Sequence, residues 1–359
     1  MASTFRTRAD FFNPEGITMT SFAKSHSRDF ANTSTRVRQL GRAALMAVLL
    51  GGTAATTMSL ATPAYAQAPL LKKQPGYYRV MVGDFEVTAL SDGTNGLPAD
   101  KLLNGISKDE INKKLNDAFL TDPVETSINA FLINTGKKLI LVDTGAGGLL
   151  DNNSGRLQDS LKAAGYKPSQ VDEIYLTHLH LDHVGGLTQH GRRAFPNAVV
   201  RVDKKEADYW LNDQNASTAS QITKPFFGVA QTTLKPYLSA GKFRPYDGDT
   251  ELVPGISSVA NYGHTPGHNA YLVSSKGQRL LIVGDMVHVG VIQFAQPNIT
   301  IGFDSDEHEA MADRRKSFDA IADQRELIAA AHVSFPGIGH LVKEGDGYRW
   351  FPINYGLAK

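Results

Sequence analysis

Apolar positions recur with two spacings along this chain, and the switch between them marks the elements. Residues 77–82 and 85–90 alternate around Gly83-Asp84 and predict two paired strands. A helical spacing over residues 108–119 lies within a polar stretch. Residues 128–133 and 138–142 predict a hairpin around Thr135-Gly136 that ends at Asp143-Thr144-Gly145. Residues 155–164 read as a helix and 171–176 as a buried strand. A strand over 198–202, a helix over 204–211 and a strand over 256–260 follow. Residues 270–274 and 279–283 predict a hairpin around Lys276-Gly277. An amphipathic helix over 307–323 carries Met311, Phe318 and Ile321 on its apolar face, and residues 327–334 lead to a final strand. Strands in two runs with helices between them predict two sheets flanked by outer helices.

The beginning of the chain follows a different pattern. A short apolar run, residues 43–50, is preceded by Arg36, Arg38 and Arg42 and followed by Ala64-Tyr65-Ala66. Basic segment, apolar segment and small-x-small site predict a secretory signal in residues 1–66, with Met19 as an alternative start. The run is too short to span a bilayer as a helix. Cleavage after Ala66 leaves residues 67–359 as one large α/β domain, periplasmic or secreted and free of the membrane. Removing seven basic and three acidic residues leaves 30 basic against 33 acidic, so the formal charge moves from +1 to −3. That balance gives no electrostatic footprint for nucleic acid. The absence of cysteine suits an oxidising compartment and excludes thiolate ligands and thiol nucleophiles.

Candidate chemistry concentrates in Thr177-His178-Leu179-His180-Leu181-Asp182-His183-Val184-Gly185-Gly186, directly after an apolar strand. Imidazole and carboxylate together suit zinc, manganese, nickel or iron. On extended backbone His178 and His180 point the same way and can grip one ion. Asp182 and His183, past a bend, face a neighbouring ion, so the cluster predicts two metals. Further candidates stand where strands end: His264 and His268 in Gly263-His264-Thr265-Pro266-Gly267-His268, Asp285 after residues 281–284, and His340 in Phe335-Pro336-Gly337-Ile338-Gly339-His340. Glycines beside them allow sharp turns and close approach to an ion.

In order and interval, Asp143-Thr144-Gly145, the 178–183 cluster, His264, Asp285 and His340 resemble the five motifs of the metallo-β-lactamase superfamily. The resemblance implies an αββα sandwich with two metals at one edge. It places His178, His180 and His264 on one ion, Asp182, His183 and His340 on the other, and Asp285 between them. Asp143 would brace the ligand loop, and His268 would brace the His264 turn. In finer detail the chain resembles the methyl parathion hydrolases, through Val171-Asp172-Glu173-Ile174-Tyr175, Phe195-Pro196-Asn197-Ala198-Val199-Val200-Arg201 and Lys205-Glu206-Ala207-Asp208 among other stretches. That likeness implies a di-metal hydrolase, a homodimer, and zinc as the metal, with manganese, cobalt or iron as alternatives.

The expected nucleophile is a hydroxide shared by the two ions, with Asp182 and Asp285 offsetting ion–ion repulsion and shuttling the proton. With no unambiguous general acid, the site suits neutral esters with good leaving groups: phosphotriesters, aryl esters or lactones. Trp210, Phe226, Phe227 and Phe294 are candidates for an apolar mouth, and His288 for a pocket-facing residue. Leu150 stands where the methyl parathion hydrolases carry an aromatic. A glyoxalase II-like thioesterase and a mononuclear-iron persulfide dioxygenase are the competing expectations.

Overall fold

Leu139–Val142 is a run of four apolar residues buried on both faces, which requires packed layers above and below it. The computed structural model describes residues 74–356, and the expected signal in residues 1–66 lies outside the described residues. The described chain from Pro75 onward forms one compact unit. Its first sheet comprises β1 (Tyr77–Val82), β2 (Phe85–Leu97), β3 (Val124–Asn134), β4 (Leu139–Val142), β5 (Glu173–Tyr175) and β6 (Val199–Arg201), in that spatial order. Its second comprises β7 (Glu251–Val253), β8 (Ile256–Ala260), β9 (Asn269–Ser275), β10 (Gln278–Ile282), β11 (Leu327–Ala329), β12 (Ile338–Glu344) and β13 (Gly347–Pro352), again in spatial order. Hairpin neighbours pair antiparallel. The pairs β4–β5, β5–β6 and β10–β11, each joined by a long crossover, are parallel.

Side-chain alternation assigns each face. Phe131, Ile133, Ile140 and Val142 of the first sheet meet Tyr271, Val273, Leu280 and Ile282 of the second in the central layer. Their sequence neighbours face outward: Leu132 and Leu141 pack with Leu157, Leu161, Phe227 and Leu234, while Ala270, Leu281 and Ile328 pack with Phe318 and Ile321. Those partners belong to α2 (Leu157–Ala163) and α5 (Lys224–Leu238) on one side and α6 (Glu307–Gln324) on the other. Other helices include α1 (Lys108–Asp117), α3 (Leu181–Val184) and α4 (Lys204–Trp210). The layering is therefore α, β, β, α, as the residue pattern predicted. Each fully buried Leu, Ile or Phe contributes roughly 1.5–3 kcal/mol, so the three apolar layers carry the fold.

Two departures from the predicted elements bear on the site. The helix α5 lies in a stretch where no element was predicted. It begins at Lys224-Pro225, where proline suits the first turn, and holds a second proline, Pro236, near its end. The strand predicted over residues 327–334 stops at Ala329, and β12 and β13 then extend the sheet by two further strands. Among the described residues no helix is long and apolar enough to cross a membrane.

Candidate metal centre

The first ligand loop is set by the ends of the parallel strands β4 and β5. Asp143, at the tip of β4, accepts hydrogen bonds from the Thr177 backbone N–H (2.8 Å) and hydroxyl (2.9 Å), pinning the chain just before His178. His178 and His180 follow on extended backbone. The helix α3 then starts at Leu181 and places Asp182 and His183 in its single turn. Gly185 and Gly186 are dictated by packing: a Cβ on Gly186 would fall 1.9 Å from the Thr144 carbonyl oxygen. The Asp143-Thr144-Gly145 turn thus lies directly against the ligand loop, backbone to backbone.

The second sheet delivers the remaining ligands. His264 sits in the turn after β8, Asp285 follows β10, and His332 follows β11. Donor atoms of His178, His180, His264 and Asp285 form one group, and those of Asp182, His183 and His332 an adjoining one, each within 4.8 Å. Asp285 lies between them. Its Oδ1 is 3.1 Å from His183 Nε2, and its Oδ2 is 3.4 Å from His264 Nε2 and 3.2 Å from His332 Nε2. Asp182 Oδ2 lies 3.6 Å from His183 Nε2 and 3.4 Å from His332 Nε2.

Partners behind the rings fix which nitrogen faces inward. Nδ1 of His183 pairs with Asp143 (2.9 Å), Nδ1 of His264 with Asp304 (2.8 Å) and Nδ1 of His332 with the Ser127 carbonyl (2.9 Å). A Nδ1–H donated to oxygen leaves the Nε2 lone pair for a cation. Asp304 is in turn braced by the buried Arg314 guanidinium at 3.8 Å. Burial alone would raise the Asp304 carboxyl, but the His264 hydrogen bond and the charges of His264 and Arg314 hold it below its ordinary range. His268 has both nitrogens committed: Nδ1 to the Asn261 carbonyl (2.9 Å), and Nε2 accepting the Asp285 backbone N–H (3.0 Å). It braces the His264 turn and the Asp285 tip and has no lone pair left to offer an ion.

The donor set fits two divalent cations. Nε2 of His178 and His183 and Oδ1 of Asp285 are buried with no hydrogen-bond partner among the described residues. They nevertheless converge with His264 Nε2 on one spot, to which His180 presents its Nδ1, 3.2 Å from His264 Nε2. Orphaned buried polar atoms are costly unless something occupies the space between them. Burial and the neighbouring imidazoles push His178 and His180 well below the usual range, so they present neutral rings. Burial opposes protonation of His264 as well, but Asp285 and Asp304 outweigh it and draw the ring up to about 9. The carboxylates therefore demand positive charge at this spot, from protons or from cations.

One predicted ligand is corrected. His340 lies in β12, is exposed, pairs across from Leu327 and hydrogen-bonds through Nδ1 to the Glu326 carbonyl (3.1 Å). It opens on a separate groove beside the end of α6, and His332 occupies the position assigned to it. The glycines that made His340 look like a ligand turn have packing duties instead. A Cβ on Gly337 would fall 2.5 Å from the Ala330 carbonyl oxygen, and one on Gly339 2.6 Å from the Trp350 ring.

Above the cluster lies a narrow cavity of about 50 Å³, walled by Leu150, Phe226, His288 and Phe303 with Leu97 and Ile128. The predicted pocket residues divide accordingly. Leu150, Phe226 and His288 line the cavity. Trp210 is fully buried behind it, its ring edge-on to His180 at 5.2 Å, and Phe227 packs behind Trp210 at 4.4 Å. Phe294 stacks on Trp350 at 5.3 Å and faces a separate apolar groove of about 520 Å³ that shares Thr126, His288 and His332 with the cavity wall. Sequence reasoning missed His332, Phe303, Asp304 and Arg314. It also missed Asp92, a buried carboxylate that accepts the backbone N–H groups of Ala146, Gly155 and Leu157 and so moulds the loop carrying Leu150.

Comparison with known proteins accords with this geometry. A match to the Metallo-beta-lactamase superfamily covers residues 123–332, more than half of the chain. An N-acyl homoserine lactonase of Bacillus sp is 25% identical over 242 residues, covering 62% of this chain and 84% of that protein. The N-acyl homoserine lactonase AttM of Agrobacterium fabrum is 32% identical over 138 residues, covering 38% of this chain and 48% of its own length. Among solved structures, the hydrolase AbOPH of the beta-lactamase superfamily superposes with a TM-score of 0.75 at 37% identity, over 79% of this chain and 100% of that one. AidC, described as a dizinc quorum-quenching lactonase, gives a TM-score of 0.73 at 29% identity, over 79% of this chain and 99% of its own. These relatives include N-acyl homoserine lactonases rather than methyl parathion hydrolases, so the finer likeness read from the sequence stands only at the level of the larger group. With its layered fold and its two-metal donor set, the chain belongs to the metallo-beta-lactamase superfamily and is a metal-dependent hydrolase.

Proposed function

We propose that this enzyme is a two-zinc lactonase that opens neutral cyclic esters bearing an apolar arm. One observation carries the reading: seven side chains from both sheets, His178, His180, Asp182, His183, His264, Asp285 and His332, converge beneath an apolar cavity that holds no Lys or Arg among its lining residues. Such walls favour an uncharged ester over an anionic one. The similarity to N-acyl homoserine lactonases supports the cyclic substrate.

When bound, the two cations would polarise the ester carbonyl and acidify a water toward neutrality. The chain's own residues do the rest. Asp285, between the two groups, holds them together and offsets their charge. Asp182 is the most exposed of the carboxylates, with 21% of its side chain accessible, and can pass a proton between the cavity and solvent. His288 lines the cavity with Nε2 at 3.1 Å from Asp285 Oδ2. Burial holds its ring below the ordinary imidazole range, so it faces the ester as a neutral hydrogen-bonding group. Phe226 and Phe303 exclude water around the reacting carbonyl. Export to the periplasm and homodimer formation belong to the same proposal, motivated by the basic, apolar and small-x-small leader and by the family likeness.

A second reading, hydrolysis of phosphotriesters or aryl esters, is favoured by the stretches that resemble the methyl parathion hydrolases and by the aromatic walls at Phe226 and Phe303. The deciding experiment is a panel of N-acyl homoserine lactones, aryl esters and paraoxon-like triesters, assayed with zinc, manganese and cobalt. The lactones are expected to give the highest kcat/KM. Turnover of triesters alone, or one iron per chain with oxygen uptake, would overturn the lactonase proposal.

A further inference from the structure

A buried carboxylate outside the ligand set touches both turns that carry His178, His180 and His264. Glu206 lies in α4 with no exposed surface. Its Oε1 accepts the Leu179 backbone N–H at 2.9 Å, and Leu179 stands between His178 and His180. Its Oε2 accepts the Thr265 hydroxyl at 2.7 Å and the Gly267 backbone N–H at 2.9 Å, in the turn that begins with His264. The contact leaves no slack, since a Cβ on Gly267 would fall 2.2 Å from the Glu206 backbone nitrogen. The helix is itself held in place: Asp203 caps it through the Lys205 N–H (2.7 Å) and accepts a hydrogen bond from the Asn269 side chain (3.2 Å).

Burial pushes the Glu206 carboxyl up to about 7, against the pull of the hydrogen bonds from Thr265, Leu179 and Gly267 and of the neighbouring Trp210 indole. A group needed only to fill space would be apolar and would carry no such cost. The other tethers of the site do different work. Asp304 sets the rotation of the His264 ring, and Asp143 and Ser127 hold His183 and His332. Glu206 joins the backbone of one ligand loop to the backbone of the other.

We propose that Glu206 is a positioning residue for the ion held by His178, His180 and His264, fixing the distance between the two backbone segments that present those imidazoles. This rests on the two-metal reading. It assigns Glu206 to one ion and leaves the other, held by Asp182, His183 and His332, independent of it.

Glu206→Gln keeps the size of the side chain but cannot serve all three donors. Whichever way the amide turns, its NH2 meets the N–H of Leu179 or of Gly267. The test titrates the apoproteins of wild type and E206Q with zinc against a chromophoric chelator, with circular dichroism to check the fold. Folded E206Q is expected to bind one zinc equivalent about 10- to 100-fold more weakly, the usual effect of losing a partner behind a ligand, and the other as in wild type. Two equivalents of unchanged affinity would overturn the proposal, and so would an equal loss at both. Should E206Q not fold, Thr265→Val removes a single bond at nearly constant volume. It is expected to weaken the same equivalent several-fold, and unchanged binding would overturn the proposal. A wild-type protein that takes up no second equivalent would sink the two-metal reading itself, whatever Glu206 does.

Discussion

Exchanging His332 and His340 in turn for alanine separates two histidines only eight residues apart in the chain. His332 Nε2 lies 3.2 Å from Asp285 Oδ2 and 3.4 Å from Asp182 Oδ2, with its Nδ1 held by Ser127. Zinc in a four-ligand protein site is bound with an apparent free energy of roughly 10–16 kcal/mol. If Asp182, His183, His332 and a shared Asp285 divide that about evenly, His332 accounts for roughly 2.5–4 kcal/mol, between two and three decades of affinity. His340 is exposed on β12 and contacts the Glu326 carbonyl, so His340→Ala should change stability by no more than about 0.5 kcal/mol and leave metal uptake untouched. Zinc content after dialysis against a weak chelator, with lactone turnover measured on the same samples, reads both effects. Retention of two zinc ions by His332→Ala, or their loss from His340→Ala, would refute the placement of the second ion.

Three further outcomes are expected. Asp285→Asn removes the charge that lies between both groups, so metal occupancy and hydrolysis should fall at least 100-fold while circular dichroism stays native; unchanged turnover would count against a shared role. Asp143→Asn leaves an NH2 facing either the Thr177 donors or His183, with a loss of about 2 kcal/mol and a melting temperature about 4–8 °C lower, measured by calorimetry. Leu150→Phe narrows the cavity at a residue outside the donor set. It should shift the ratio of kcat/KM between aryl esters and lactones by about 3-fold or more with zinc content unchanged, and a constant ratio would show that Leu150 does not meet the substrate.

The layered architecture was legible because both faces of the central strands are buried, which writes apolar runs such as Leu139-Ile140-Leu141-Val142 and Leu281-Ile282-Val283 into the chain. The cluster from His178 to His183 was legible because its ligands are close in sequence and flanked by glycines that backbone packing requires. His332 was not. An apolar segment running on to Ala331 disguised the end of a strand that stops at Ala329, so His332 read as part of it. It does, however, obey the rule that revealed Asp143 and Asp285, a polar side chain just past an apolar strand, and that rule would have found it. Glu206, Asp304 and Arg314 left no local signal. Glu206 meets its partners 27 to 61 residues away, Asp304 meets His264 40 residues away and Arg314 meets backbone carbonyls 15 to 28 residues away, and only the folded chain brings them together. The pocket walls were half visible, since an aromatic residue reads the same in a sequence whether it faces a cavity, like Phe226, or another ring, like Phe227.

The ligands ride on strand tips and on turns locked backbone to backbone, whereas the cavity walls ride elsewhere: Leu150 on the loop moulded by Asp92, Phe226 on α5, and Phe303 on the segment preceding α6. Appetite and engine are thus encoded in separate stretches of chain. Phe226 does lie against the His180 ring at 4.8 Å, but none of the three wall residues is itself a donor to a cation, so divergence among such enzymes can proceed by refitting the entrance while the hearth stays lit.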